Sequence, residues 1–132
     1  MISFELKTGS QQALIDVTQQ AQRAVGQSGV EAGVCTLYVP HTTAALTVNE
    51  VADPAVREDV LEALRRLVPA DLGYHHLEGN AQAHVQAALV GGSVQLPLEA
   101  GQLCLGTWQA IFFCEFDGPR TRQVWLSVVP GA

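Results

Sequence analysis

Polar residues set against apolar runs fall in three separated segments of this 132-residue sequence. In the first, His84 shares an i, i+3, i+4, i+7 pattern with Ala81, Val85 and Ala88, so helical spacing turns its imidazole along an apolar stripe. Just upstream runs His75-His76-Leu77-Glu78, which brings a carboxylate and further imidazoles near it in sequence. Such groups suit acid–base chemistry or a divalent metal such as zinc. The spacing from His76 to His84 matches no specific zinc motif, and H-E-x-x-H is absent. A satisfied core histidine beside a solvated polar loop is the plain alternative. The second segment, Val39-Pro40-His41-Thr42-Thr43, places His41 at the joint of two β-branched runs and leads to Asn49, Glu50 and Asp53. Asp53 is explained as a helix cap; His41, Asn49 and Glu50 are not explained locally. The third segment is Gly106-Thr107-Trp108-Gln109, followed by a run in which Gln109, Ile111, Phe113 and Glu115 alternate onto one strand face. A lone carboxylate there is expensive to bury, so Glu115 needs Arg120 or Arg122 as partner, or a direct chemical role. The expectation is that all three segments converge on one polar site.

The elements that must position them read as follows. Residues 2–7 alternate as a strand, and residues 14–25 carry apolar or small side chains at helical spacing, closed by Gly26 and Gly29. Residues 34–39 and 42–49 read as two strands. Asp53-Pro54 opens a helix, with Val56, Val60, Ala63, Leu64 and Leu67 as its stripe and Arg65-Arg66 at its negative end. A second helix runs from the cap at Asn80 to about Val90, where Gly91-Gly92 stops it. Residues 93–129 read as three or four strands, turning at Gly101 and Gly118-Pro119. Strands and helices segregated in this way predict a single α+β domain over residues 1–132, with helices packed on a mixed or antiparallel sheet or sandwich.

Composition narrows the function. Thirteen acidic residues against seven basic ones give a net charge of −6, without the basic face that a nucleic-acid partner requires. Nothing resembles a signal peptide or a transmembrane stretch, so no membrane partner is expected. Cys35, Cys104 and Cys114 form no C-x-x-C pair and lie in apolar runs, which suits buried thiols in a reducing cytoplasm. Only 15% of residues are charged, low enough to suggest that part of the surface is covered by copies of the same chain.

His41-Thr42-Thr43-Ala44, Asn49-Glu50 with Asp53-Pro54, His76 with Glu78-Gly79-Asn80, Ala83-His84, Gly106-Thr107-Trp108-Gln109 and Phe116-Asp117-Gly118-Pro119-Arg120 occur in that order. Together they resemble the YjbQ-like family, also called the secondary thiamine-phosphate synthase family. The resemblance spans the chain and is densest from His41 to Arg122. It implies a YjbQ-like fold assembled as a homotrimer, with a polar cleft that subunits can share. The implied activity joins a hydroxymethylpyrimidine diphosphate to a thiazole phosphate and releases pyrophosphate. The implied catalytic residues are His41, Asn49, Glu50, Asp59, Glu78, Thr107, Gln109 and Glu115. Trp108 and Arg120 would face the phosphorylated heteroaromatic ligand, and His41, His76 and His84 would hold a divalent metal, zinc or magnesium. One departure stands out. Gln82 occupies a position where the family often has an acidic residue or histidine, which puts metal binding here in doubt.

Overall fold

The computed structural model describes residues 1–131. The described residues build eight strands and three helices in the order β1 (Ile2–Lys7), β2 (Ala13–Asp16), α1 (Thr18–Ser28), β3 (Gly33–Tyr38), β4 (Ala44–Glu50), α2 (Pro54–Leu67), α3 (Ala81–Val90), β5 (Ser93–Glu99), β6 (Gln102–Leu103), β7 (Gln109–Glu115) and β8 (Thr121–Pro130). Two sheets result, one of five strands in the order β1-β8-β3-β5-β6 and one of three in the order β2-β7-β4. Every strand pair is antiparallel. The α+β expectation holds, with the antiparallel alternative realised.

The small sheet is buried on both faces. One face meets the large sheet, where Leu46, Ile111 and Phe113 pack with Leu37, Val124 and Leu126, and α1 adds Ala21, Ala24 and Val25. The other face carries Ala45, Phe112 and Cys114, covered by Leu64 of α2 and by Ala83 and Ala87 of α3. This explains why residues 110–114 are an unbroken apolar run: a strand covered on both sides has no face to give to water. Thr43 and Ala45, at the β4 end of this sheet, are both buried.

Two further expectations change. The helix read over residues 14–25 begins only at Thr18, because residues 13–16 form β2 against β7. Leu14 points to the helix-side core and Ile15 packs on the inter-sheet core, a period of two that the apolar cluster had disguised as a helical one. Asp16 then accepts from the Thr18 backbone N–H at 2.9 Å, and the Thr18 hydroxyl accepts from the Ile111 N–H at 2.9 Å, which locks the helix start onto β7. The second change is the rotation of α3. Its buried side chains are Ala81, Ala83, Gln86 and Ala87, whereas Val85 and Leu89 are exposed. Small residues let this face lie close on β4, so the stripe carrying His84 lines a surface cavity and not the core.

Candidate functional site

The site is built around a buried ion pair. Glu115 ends β7 at complete burial, and Arg122, near the start of β8, is 3% exposed. The Arg122 guanidinium donates to both Glu115 oxygens, from Nε to Oε1 at 2.9 Å and from a terminal nitrogen to Oε2. The Thr8 hydroxyl donates to Oε1 at 2.7 Å and the Asp117 backbone N–H to Oε2 at 3.0 Å. Burial pushes the Glu115 carboxyl up, but Arg122, the Asp117 N–H and Thr8 together outweigh it and hold it below its ordinary value. Of the two partners expected from sequence, Arg122 is the real one. Both carboxylate oxygens are engaged within the chain, so in this geometry Glu115 holds Arg122 and the turn that follows β7 in place.

Arg122 also donates to the Thr43 hydroxyl at 2.9 Å, which fixes the loop entering β4. Arg120 turns to Asp117 instead, donating to the carboxylate and the backbone oxygen, each at 2.8 Å. Asn80 donates from its amide nitrogen to the same Asp117 carboxylate at 2.9 Å. Burial pushes the Asp117 carboxyl up, but the hydrogen bonds from Asn80 and Arg120 outweigh it, so it sits below its ordinary value. These groups line a cavity of about 310 Å³ together with Thr42, His76, Glu78 and His84. Asn80 is thereby drawn away from its expected duty, and it gives α3 no side-chain cap. The positive end of the α3 dipole is left facing the polar groups.

His76 and His84 meet edge to face, with ring centroids 5.0 Å apart, and Glu78 Oε2 lies 3.9 Å from His76 Nε2. The same two imidazoles border a second cavity of about 340 Å³, whose other lining residues are Tyr74, His75, Ala81 and Val85. The Tyr74 hydroxyl donates to the Pro69 carbonyl at 2.6 Å, pinning its ring in that wall.

His41 does not join this pair. Its Nε2 accepts from the Gln123 backbone N–H at 2.9 Å, which requires that nitrogen to be unprotonated. Burial lowers its pKa and Arg122 lowers it further. No cluster of three or more His, Cys, Asp or Glu side chains able to hold a metal exists among the described residues. The three-histidine metal set therefore does not fit within one chain, because one of the three imidazoles is spent on a backbone bond.

The Gly106–Gln109 segment lies elsewhere. Glu50 pairs with Gln109 at one end of the β4–β7 ladder and Ala44 pairs with Glu115 at the other. Six strand steps at about 3.4 Å put those ends ~20 Å apart. Gln109 folds back to accept from the Gly106 N–H at 2.8 Å, Asn49 accepts from the Glu50 N–H at 2.8 Å, and Trp108 is 63% exposed beside an exposed Thr107. Asp59 is exposed on α2 and lines neither histidine cavity. In one chain the expected single site is thus two groups, at opposite ends of β7.

Sequence reasoning passed over Thr43, Tyr74, Asn80, Asp117 and Arg122 as cavity-lining residues. Asn80 had a sufficient local explanation as a cap, and Asp117 as part of a turn. The signal that could have found them is a run of polar and charged residues around the turn that follows the apolar stretch 110–114.

The comparisons agree with this architecture. The family model described as "UPF0047 protein YjbQ-like" matches residues 2–131. A UPF0047 protein of Archaeoglobus fulgidus is 49% identical over 125 residues, covering 93% of this chain and 96% of that one. The UPF0047 protein YugU of Bacillus subtilis is 40% identical over 128 residues, covering 96% and 97%. Among solved structures, a YjbQ/UPF0047-family protein of Clostridium acetobutylicum superposes with a TM-score of 0.94 at 46% identity, covering 98% of this chain and 100% of that one. With this order of elements and this agreement along its whole length, the chain belongs to the YjbQ-like UPF0047 family.

Proposed function

We propose that the cavity at His76 and His84 binds a small phosphorylated heteroaromatic metabolite in the cytoplasm. We propose further that the chain, as a homotrimer, joins a hydroxymethylpyrimidine diphosphate to a thiazole phosphate. In that transfer the thiazole nitrogen bonds to the pyrimidine's methylene carbon as the carbon–oxygen bond to the diphosphate breaks, and pyrophosphate leaves with the electron pair. The observation supporting the reading is the meeting of two imidazoles with Thr43, Asn80 and Arg120 around one cavity. Arg120 and the uncapped first turn of α3 would offset charge growing on the leaving group. Magnesium suits this donor set better than zinc, since it is commonly held by one or two carboxylates plus the substrate's own phosphates. Glu78 and Asp117 would be those carboxylates. Trp108, exposed and at the other end of β7, could offer its ring to the ligand only from a neighbouring copy.

One observation favours a second reading, a trimeric metal- or metabolite-binding protein with only incidental catalysis. Arg122 is neutralised by Glu115 and Arg120 by Asp117, so the cavity lacks the dense cationic cradle a diphosphate would find helpful. Assay of thiamine-phosphate formation, with metal analysis of the purified protein, separates the two. Under the synthase reading, His76→Ala lowers turnover at least tenfold and leaves the fold intact. Turnover unchanged by the substitution would remove His76 from the chemistry, and absence of product from the wild type would leave only the binding reading.

A further inference from the structure

We infer that the ligand site is bipartite: the cavity between Tyr74 and Val85 receives an apolar aromatic ring, and the Asn80–Arg120 cavity receives the phosphate joined to it. This rests on the reading of the His76/His84 cavity as a ligand site, and adds where each part of the ligand lies. The two cavities are unlike in chemistry and adjoin at shared lining residues. One is walled by Tyr74, Ala81 and Val85, the other by hydroxyl, amide, carboxylate and guanidinium groups. They share two side chains, His76 and His84, whose rings meet edge to face at their boundary. Volumes of about 340 and 310 Å³ are each at the lower end of the range for small-molecule sites, so each suits a part of one ligand.

The apolar wall is also a formed one. Ala81, His84 and Val85 stand at i, i+3 and i+4 on a single face of α3, and Tyr74 opposite is held by its bond to Pro69. Val85, although apolar, is 43% exposed, and no side chain of the chain itself covers it fully. A ligand joined by a short methylene linker would cross between compartments at the imidazole pair. The bond between ring-bearing carbon and phosphate oxygen would then lie beside His76 and His84, where a proton can be given or taken.

The test is calorimetric titration of the full chain with inorganic phosphate and with benzyl phosphate. Wild type should bind benzyl phosphate about 10- to 100-fold more tightly, the gain for burying one aromatic ring. Val85→Trp, which fills the apolar compartment from an exposed helix position, should bring benzyl phosphate down to the affinity of inorganic phosphate and leave the latter unchanged. Val85→Gln should move in the same direction by less, and it guards against a folding defect in the tryptophan variant. Arg120→Ala should weaken both probes. Equal affinities in the wild type, or a benzyl phosphate advantage that survives Val85→Trp, would overturn the bipartite assignment while leaving the phosphate site standing. Failure of both probes to bind would overturn the ligand-site reading itself, and the assignment with it.

Discussion

Glu115 and Arg122 are shut away from solvent, and what holds them there is a set of hydrogen bonds: Thr8 and the Asp117 N–H donate to Glu115, and Thr43 accepts from Arg122. A buried pair of this kind is costly to break from one side, because the survivor keeps its charge and loses its partner. Arg122→Met should therefore destabilise the chain by about 3–5 kcal/mol, while the double substitution Glu115→Leu with Arg122→Leu recovers much of that loss. The sign of the pH dependence follows from the lowered Glu115 carboxyl. Its stabilisation is present in full above the ordinary carboxylate value and is lost as pH falls through the folded-state value. His41 adds in the same direction: a lowered imidazole binds fewer protons folded than unfolded, so acidification below the ordinary histidine value also costs stability. Urea midpoints measured from neutral pH downward should fall for the wild type and fall less steeply for the double variant. Parallel curves would remove the ion pair from the acid response.

The turn from β7 to β8 is where element geometry sets the site, since it delivers Glu115, Asp117, Arg120 and Arg122 within eight residues. Gly118 is its narrow point. Its N–H donates to the Gln11 carbonyl at 3.0 Å, and a Cβ placed there would strike the Ser10 backbone oxygen and approach Glu115 Cγ at 2.8 Å and the Thr8 hydroxyl at 2.9 Å. Gly118→Ala should accordingly cost about 1–3 kcal/mol, the usual penalty of overpacking, and loosen the Thr8–Glu115 contact with it. Equilibrium unfolding checks this, and a variant as stable as wild type would mean the turn can shift freely. The G-P dipeptide made this turn legible in sequence, as D-P made α2, because proline and glycine act locally. The start of α1 and the rotation of α3 were not legible. Leu14 and Ile15 satisfy helical and strand periods equally, and α3 turns on the small size of Ala83 and Ala87, which only the opposing sheet makes decisive. The histidine pair was readable from sequence proximity across one loop and helix start. The distance of Gly106–Gln109 from it depends on strand register, which no spacing in the sequence states.

At the scale of the molecule, the low charge of the sequence finds a location. The outward face of the three central strands of the large sheet carries an uncharged patch of Val34, Thr36 and Tyr38 of β3, Gln95 of β5, and Trp125 and Ser127 of β8, bordered by Glu99 at the end of β5. Tyr38 and Trp125 stack there with ring centroids 5.9 Å apart, and Val34, Tyr38 and Val129 are exposed. An uncharged face holding two aromatic rings is unusual for a surface in water and has the composition of an interface core. A copy of the chain is the proposed occupant of that face. Contact between copies would also give Trp108 a route to a ligand that lies ~20 Å from it along its own β7. Light scattering should then return about three times the 14.1 kDa chain mass, and Trp125→Glu, by burying a charge in the contact, should shift the protein to single chains. If the wild type runs as a monomer at micromolar concentration, the uncharged face has another use and the segments at the two ends of β7 serve separate purposes. If it is a trimer that survives Trp125→Glu, the copies meet through a different surface.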